Sequence, residues 1–129
     1  MVKDYNKTIL VVEDEEALRK AMSDKLTREG FKVLEAKDGE EGLETALKEH
    51  PDLTLLDIMM PKMDGLTVLS NLREDEWGKT AQVIIMTNLS ESEKVSEAVV
   101  NGVYEYLVKS DVPLAEVVQK IKAKLGITD

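Results

Sequence analysis

A nearly unbroken apolar run, residues 53–56, ends in the carboxylate of Asp57 and is followed by a loop marked by Pro61 and the pair Asp64-Gly65. A strand that lacks polar alternation is covered on both faces, as the strands of parallel sheets are. In open parallel sheets, ligands bind beyond the carboxyl ends of the strands. The run therefore predicts that Asp57 lies at a strand-to-loop junction near a ligand site, although an aspartate there could equally form a turn or cap the next helix.

The same alternation of a short apolar strand and an amphipathic helix recurs along the whole chain. Apolar and β-branched runs predict five strands, at residues 8–12, 31–36, 53–56, 83–86 and 104–108. Apolar residues at helical spacing predict five helices, with apolar faces over residues 17–26, 43–47, 66–72, 95–99 and 114–125. Such units form right-handed βαβ crossovers, so we expect an α/β fold with a doubly wound, five-stranded parallel sheet between two helical layers. With strands 2 and 5 at the edges, the strand order is 2-1-3-4-5.

The composition excludes several classes of protein. A chain of 129 residues has the size of one domain, and we expect a single domain over residues 1–129. The sequence has no cysteine, which excludes disulfides and thiolate metal sites. It also has no apolar run that could span a bilayer or act as a signal sequence, so we expect a cytoplasmic protein without a membrane partner. The formal net charge of −9 disfavours direct nucleic-acid binding, because the phosphate backbone would be repelled.

Four of the predicted strands end at polar residues that the strand order brings to one crevice. Strand 1 is followed by Glu13 and Asp14, strand 3 by Asp57, strand 4 by Thr87 and strand 5 by Lys109. Because strands 1 and 3 are neighbours where the strand order reverses, the three carboxylates should lie close together and need a cation. Hard oxygen ligands without cysteine or a nearby histidine favour Mg²⁺. With the lysine charge and the threonine hydroxyl, the crevice suits a phosphoryl group carried on, or attacked by, a carboxylate.

These residues together resemble the receiver domains of two-component response regulators, in particular the single-domain chemotaxis type. The resemblance covers residues 8–125. It rests on the acidic pair after strand 1, on the segment Leu-Leu-Asp-Ile-Met-Met-Pro-Lys-Met-Asp-Gly around Asp57, and on Thr87, Tyr106 and Lys109. The family has the flavodoxin-like three-layer fold, which agrees with the sheet and helices expected from the sequence pattern.

The resemblance implies a metal-dependent phosphorylation site. Asp57 would be the phospho-acceptor. Mg²⁺ would be bound by Asp14, Asp57 and the backbone carbonyl of Met59, while Glu13 would hold a metal-bound water. The phosphoryl donor would be a sensor histidine kinase or a phosphotransfer protein. We expect no enzyme in the ordinary sense, since such a domain assists only its own phosphorylation and dephosphorylation.

The resemblance also implies a switch. Thr87 and Lys109 would each contact a phosphoryl oxygen, and Tyr106 would turn inward as Thr87 moves. The face made by helix 4, strand 5 and helix 5 would then bind a downstream protein or a second copy of the chain. Many members have proline after the strand-5 lysine, whereas Ser110 follows here, so the isomer of that peptide bond stays open.

Other functions also stay open on the sequence alone. The chain could be a complete single-domain regulator, or a receiver fragment of a longer transcriptional regulator or hybrid kinase. A flavodoxin-like cofactor binder would share the fold, but it would carry a Ser/Thr/Gly-rich phosphate loop after strand 1 rather than four acids. An aspartate-nucleophile phosphatase usually carries a second aspartate two residues after the nucleophile, and Met59 occupies that position here.

Simple structural roles compete for several of these residues. Glu13 and Asp14 could cap helix 1, where carboxylates are favourable. Tyr106 could serve only to pack the edge strand. The single histidine, His50, is expected to place a favourable charge at the end of helix 2 rather than to carry phosphate. The single tryptophan, Trp77, is expected to cover the edge of the core.

Overall fold

The computed structural model describes residues 4–87, 106–108 and 113–127, with only the backbone described at Thr87 and at residues 106–108. The strands are β1 (Thr8–Val12), β2 (Lys32–Ala36), β3 (Leu53–Asp57), β4 (Val83–Thr87) and β5 (Tyr106–Val108). The helices are α1 (Glu16–Glu29), α2 (Gly39–Glu49), α3 (Gly65–Glu74) and the C-terminal helix (Leu114–Leu125), with a short 3₁₀ turn at Gly78–Thr80. None of the helices in these ranges is both long and apolar enough to cross a membrane.

The described strands pair in parallel in the order β2-β1-β3-β4-β5, with β2 and β5 at the edges. Val12 lies opposite Leu56, and Asp57 lies opposite Met86. The carboxyl ends of β1, β3 and β4 therefore lie on the same side of the sheet, at the ends of its strands, and we call this side the carboxyl edge. The predicted parallel, doubly wound α/β fold is confirmed. The fourth predicted helix lies outside the described residues and stays a prediction.

The two faces of the sheet bury two separate apolar clusters. Adjacent residues of β1 point to opposite faces, because side chains alternate along a strand, and Val11 and Val12 are both fully buried. One cluster joins the sheet to α2 and α3 and includes Leu10, Val12, Leu56, Ile58, Leu69, Leu72 and Ile85. The other joins the sheet to α1 and the C-terminal helix and includes Ile9, Val11, Met22, Leu26, Leu55, Val118 and Ile121. Coverage on both faces explains why the central strands contain almost no polar residue.

Short polar side chains start two of the helices. The Asp38 carboxylate accepts a hydrogen bond from the backbone N–H of Glu41 at 2.9 Å, which caps α2. The Asp64 carboxylate accepts one from the backbone N–H of Thr67 at 2.9 Å, which caps α3. Each bond satisfies a backbone donor that has no partner within its own helix.

His50 lies at the C-terminal end of α2, as expected from the sequence. His50 adopts a left-handed conformation (φ 48°), and its N–H donates to the carbonyl of Ala46. Its ring stacks on Trp77, with centroids 4.4 Å apart and an interplanar angle of 7°. Trp77 in turn packs against the α2–α3 cluster, as expected for a residue covering the core edge. The aromatic contact of His50 could not be seen from its place at a helix end.

Some predicted boundaries are wrong by a residue or more. β2 begins at Lys32 instead of Phe31, because the N–H of Phe31 donates to the Leu26 carbonyl and completes the end of α1. Thr87 is the last residue of β4 rather than part of its exit. The segment between α3 and β4, for which no helix or strand was predicted, contains the 3₁₀ turn.

Candidate functional site

The structure brings Glu13, Asp14 and Asp57 together at the carboxyl edge of the sheet. One carboxylate oxygen from each of the three residues lies within 4.8 Å of the others. The strand register explains the cluster, because Val12 pairs with Leu56 and the next residue of each strand is an acid. Glu13 and Asp57 are buried, whereas Asp14 is exposed. The juxtaposition predicted from the strand order is confirmed.

The loop that carries Glu13 and Asp14 is held by several hydrogen bonds. The Glu13 N–H donates to the Ala36 carbonyl at 3.1 Å, which extends the contact with β2. Glu13 Oε2 accepts from the N–H of Glu15 at 2.9 Å. Arg19 Nη1 donates to the Glu13 carbonyl at 3.0 Å, and Arg19 Nε pairs with Glu35 Oε1 at 3.1 Å. The loop is therefore fixed from β2 and α1, and Arg19 is a supporting residue that the sequence did not single out.

The simple capping role for the acidic pair does not fit this geometry. The residue that precedes α1 in the cap position is Glu15, and its side chain makes no capping hydrogen bond. The Glu13 carboxylate binds the N–H of Glu15 itself, outside the helix, and Asp14 stays exposed. The pair is therefore oriented towards the edge of the sheet and Asp57.

The backbone that follows Asp57 is tightly packed. The N–H of Ile58 donates to the Met86 carbonyl at 3.1 Å, which continues the contact with β4. The N–H of Gly65 donates to the Ile58 carbonyl at 2.7 Å, so the chain returns to the end of β3 as α3 begins. Met59 lies in the intervening loop and is 52% exposed. Met59 is therefore two residues beyond Asp57, in a loop whose two ends are held by these hydrogen bonds.

The far side of the same loop is attached to the start of α2. Lys62 Nζ lies 3.6 Å from Asp38 Oδ2, and Lys62 adopts a left-handed conformation with φ 68°. A Cβ on Gly39 would lie 1.7 Å from the Met63 carbonyl oxygen, so only glycine fits against the loop there. The pair Asp38-Gly39, which is typical of a turn, is the sequence signal for this contact.

Asp38 is ionised in this position. Its pKa is held below the ordinary value first by the hydrogen bond from the backbone N–H of Glu41 and then by the charge of Lys62, although burial acts in the opposite direction. A buried carboxylate with these two partners is a fixed negative charge at the start of α2.

The donor set fits Mg²⁺. Glu13, Asp14 and Asp57 offer hard oxygen ligands, and three clustered carboxylates repel one another unless a cation neutralises them. Magnesium usually takes one or two carboxylates, keeps several waters and accepts phosphate oxygens. The exposure of Asp14 leaves the cluster open to water on one side.

The other predicted site residues lie partly outside what the structure describes. Thr87 ends β4 one residue beyond Met86, the register partner of Asp57, so its backbone reaches the same edge of the sheet. Tyr106 begins β5, opposite Ile85. Their side chains are not among the described parts of the structure, and Lys109 and Ser110 lie outside the described residues entirely. The contacts predicted for Thr87, Tyr106 and Lys109 therefore stay predictions.

Comparison with known proteins agrees with this site. The family model of the response regulator receiver domain matches residues 9–122. A curated relative is the transcriptional regulatory protein SrrA of Staphylococcus aureus, 38% identical over 120 residues. That match covers 93% of this chain and 48% of SrrA, so the chain spans about half the length of the curated relatives it matches.

Solved structures show the same fold. The CheX–CheY–BeF₃–Mg²⁺ complex from Borrelia burgdorferi matches with a TM-score of 0.82 and 32% identity, covering 95% of this chain and 94% of the other. A CheY-like receiver domain protein from Methanospirillum hungatei matches with a TM-score of 0.86 and 29% identity, covering 93% and 94%. With the family match over most of its length and a carboxylate cluster at the expected edge of the sheet, the chain belongs to the response regulator receiver domains of two-component systems.

Proposed function

We propose that the chain accepts a phosphoryl group on Asp57 in a Mg²⁺-dependent reaction and signals by changing the surface that it presents to partners. The observation that carries the proposal is the cluster of Glu13, Asp14 and Asp57, in which the central carboxylate is buried and its neighbours are acids within 4.8 Å. A buried carboxylate among like charges can act as a nucleophile towards a phosphoryl group only if a cation neutralises the negative charge of the site during the transfer.

The residues of the chain would divide the work as follows. A carboxylate oxygen of Asp57 forms a bond to phosphorus as the bond from phosphorus to the donor's imidazole nitrogen breaks, and that nitrogen keeps the electron pair. Asp14, Asp57 and the Met59 carbonyl would hold Mg²⁺, and Glu13 would orient a water on it. When bound, Mg²⁺ supplies charge neutralisation for the transferred group. The burial of Asp57 and the hydrogen-bonded backbone that follows it would limit the orientations of the nucleophile.

Thr87 and Lys109 would contact the phosphoryl oxygens, and Tyr106 would respond to Thr87. This part of the proposal is supported by their order in the sequence and by the position of the β4 and β5 backbones. The responding face would comprise the predicted helix over residues 95–99, β5 and the C-terminal helix, completing a five-stranded, five-helix domain.

We place the protein in the cytoplasm, with a sensor histidine kinase or phosphotransfer protein as the donor. The output would be a downstream protein or a second copy of the chain. It could also be a further segment of a longer regulator, since the match covers only 48% of the transcriptional regulatory protein SrrA. The domain would catalyse nothing beyond its own phosphorylation and dephosphorylation.

The direct test is incubation with acetyl phosphate and Mg²⁺, followed by intact-mass measurement. We expect the mass to increase by that of one phosphoryl group. No increase is expected when a chelator removes the metal before the donor is added. A chain that gains no mass at any donor concentration contradicts the proposed function.

A further inference from the structure

The start of α2 contacts the loop that follows Asp57. We call the set Asp38, Gly39, Lys62 and Met63 the loop clamp. We infer that the loop clamp positions the loop carrying Met59, and thereby sets the affinity of the site for Mg²⁺, which makes Asp38 and Lys62 positioning residues. The inference rests on the proposed function, because it assumes that the carboxylate cluster binds Mg²⁺ with the help of the Met59 carbonyl.

The first observation is that the loop has two fixed ends and one lateral support. Two hydrogen bonds at the end of β3 fix the ends of the loop. The N–H of Ile58 donates to the Met86 carbonyl, and the N–H of Gly65 donates to the Ile58 carbonyl. Between these points the Lys62 ammonium reaches Asp38 Oδ2 at 3.6 Å. The exposed Met59 lies three residues before Lys62, so the lateral support is close in sequence to the proposed backbone ligand.

The second observation is that Lys62 adopts an unfavourable conformation to make this contact. Its φ of 68° lies in the left-handed region, a backbone conformation that residues other than glycine, asparagine and aspartate seldom adopt. Such a conformation persists where surrounding contacts hold it. Three contacts surround this residue: its ion pair with Asp38, the packing of the Met63 carbonyl on Gly39, and the hydrogen bond from the Met63 N–H to the Pro61 carbonyl at 2.8 Å, which closes a tight turn around Lys62.

The third observation is that Asp38 presents a well-defined partner. Its side chain is buried, and Oδ1 is already held by the Glu41 N–H at 2.9 Å, so Oδ2 points in one direction. The lysine side chain is 60% exposed, and the pair is therefore weak in energy but directional. Outer residues that orient metal ligands act in the same way in other metal sites.

The test compares Mg²⁺ affinity in matched variants, measured by titrating MgCl₂ into ¹⁵N-labelled protein and following amide chemical shifts. Asp38→Asn keeps a side-chain oxygen that can cap α2 but removes the charge. Lys62→Asn removes the charge while favouring the left-handed conformation. Lys62→Arg keeps the charge. Lys79→Asn is the control, since this lysine is 56% exposed, pairs with Glu76 at 3.2 Å and precedes β4 at the opposite edge of the sheet.

We expect Asp38→Asn and Lys62→Asn each to weaken Mg²⁺ binding by about threefold, the size of effect that a partly exposed ion pair can supply. The double variant should be no weaker than the weaker single variant, because both changes remove the same contact. Lys62→Arg and Lys79→Asn should bind like the wild type. In the metal-free protein, exchange of the Met63 amide, which donates to the Pro61 carbonyl at 2.8 Å, should be faster in the two weakened variants.

A purely electrostatic effect would change the Mg²⁺ affinity in opposite directions in the Lys62 and Asp38 variants. Removing the positive charge of Lys62 would then tighten cation binding, while removing the negative charge of Asp38 would weaken it. That pattern, or wild-type affinity in both variants, overturns the positioning role while leaving Mg²⁺ binding and the proposed function intact. Failure of the wild-type protein to bind Mg²⁺ at all overturns the proposed function and the loop clamp together.

Discussion

Gly65, the first residue of α3, packs directly against the backbone of Asp57. A Cβ on Gly65 would lie 2.2 Å from the Asp57 carbonyl oxygen, so no other residue fits there without moving the end of β3. The N–H of Gly65 also donates to the Ile58 carbonyl at 2.7 Å. The helix that follows the central carboxylate therefore begins against the strand that carries it, and the loop between them is held at both ends.

Replacement of the central carboxylate should abolish phosphorylation. We expect Asp57→Asn to gain no phosphoryl group from acetyl phosphate and Mg²⁺, because the amide is a poor nucleophile and removes a ligand of the proposed metal site. Intact-mass measurement checks this. Asp64→Asn is the matched control, since asparagine can still cap α3, and it should be modified like the wild type. The mass of one added phosphoryl group on the Asp57→Asn variant would show that another residue is the acceptor.

Removal of one charge from the acidic cluster should stabilise the metal-free protein. In chelator, Asp14→Asn and Asp57→Asn should each raise the melting temperature by roughly 3 °C, because three carboxylates within 4.8 Å repel one another. Addition of Mg²⁺ should stabilise the wild type and have little effect on Asp14→Asn. Asp24→Asn, at an exposed position of α1, serves as the control for a change of net charge. Lower melting temperatures for both cluster variants would contradict strong repulsion in the cluster.

Phosphorylation should change the dynamics of a surface remote from Asp57. We expect altered hydrogen exchange in peptides covering residues 91–125, because new contacts to Thr87 would bias a two-state equilibrium that includes Tyr106. Mass spectrometry of the exchanged protein with and without phosphorylation checks this. Exchange that changes only in peptides around Asp57 would count against a switched face.

We expect the phosphorylated state to be long-lived. The resemblance to receiver domains implies that the residues two positions beyond Asp57 and two positions beyond Thr87 would flank the path of an attacking water, and both are apolar here. They are Met59, which is 52% exposed, and Leu89, which lies outside the described residues. Met59→Asn combined with Leu89→Glu should speed dephosphorylation by about tenfold, which corresponds to roughly 1.4 kcal/mol of barrier. Decay after donor removal at fixed Mg²⁺ measures the rate. Ser70→Asn, on the exposed side of α3, should decay like the wild type, and equal rates for the double variant would show that these side chains do not control water.

The contact between α1 and the C-terminal helix should make stability depend on pH in acid. Burial tends to raise the pKa of Glu29, but hydrogen bonds from Lys25 at 3.3 Å and Lys122 at 3.4 Å outweigh it and hold the pKa below the ordinary value of 4.5. A lowered carboxylate pKa stabilises the fold above pH 4.5, and the stabilisation is lost as the pH falls through the folded-state pKa.

Glu29→Gln should therefore melt about 3 °C below the wild type near neutral pH, and the difference should shrink below pH 4.5 and disappear as the pH falls through the lower folded-state pKa of Glu29. Thermal unfolding across this range measures it. Glu44→Gln, on the exposed side of α2, should give a smaller difference at every pH. A constant difference for Glu29→Gln from neutral pH into acid would show that the ion pairs of Glu29 do not contribute through its charge.

Much of the fold can be read from local patterns in this sequence. Continuous apolar strands such as residues 53–56 indicate a sheet covered on both faces, and helical spacing indicates which faces cover it. The position of Asp57 at the end of such a strand, and of Glu13 and Asp14 at the end of another, already indicated that the three acids meet. These predictions succeed because side-chain direction in strands and helices follows from residues that are near neighbours in the chain.

The tertiary structure decided what depends on residues distant in sequence. The 4.8 Å grouping of the acids required the register between β1 and β3, and the contact of Gly65 with Asp57 required the return of the chain to β3. The pairing of Asp38 with Lys62 across two connecting loops has no periodic signal at all. Local propensity sets where strands and helices form. The distance between two side chains on different elements is set by how the elements pack, which only the folded chain determines.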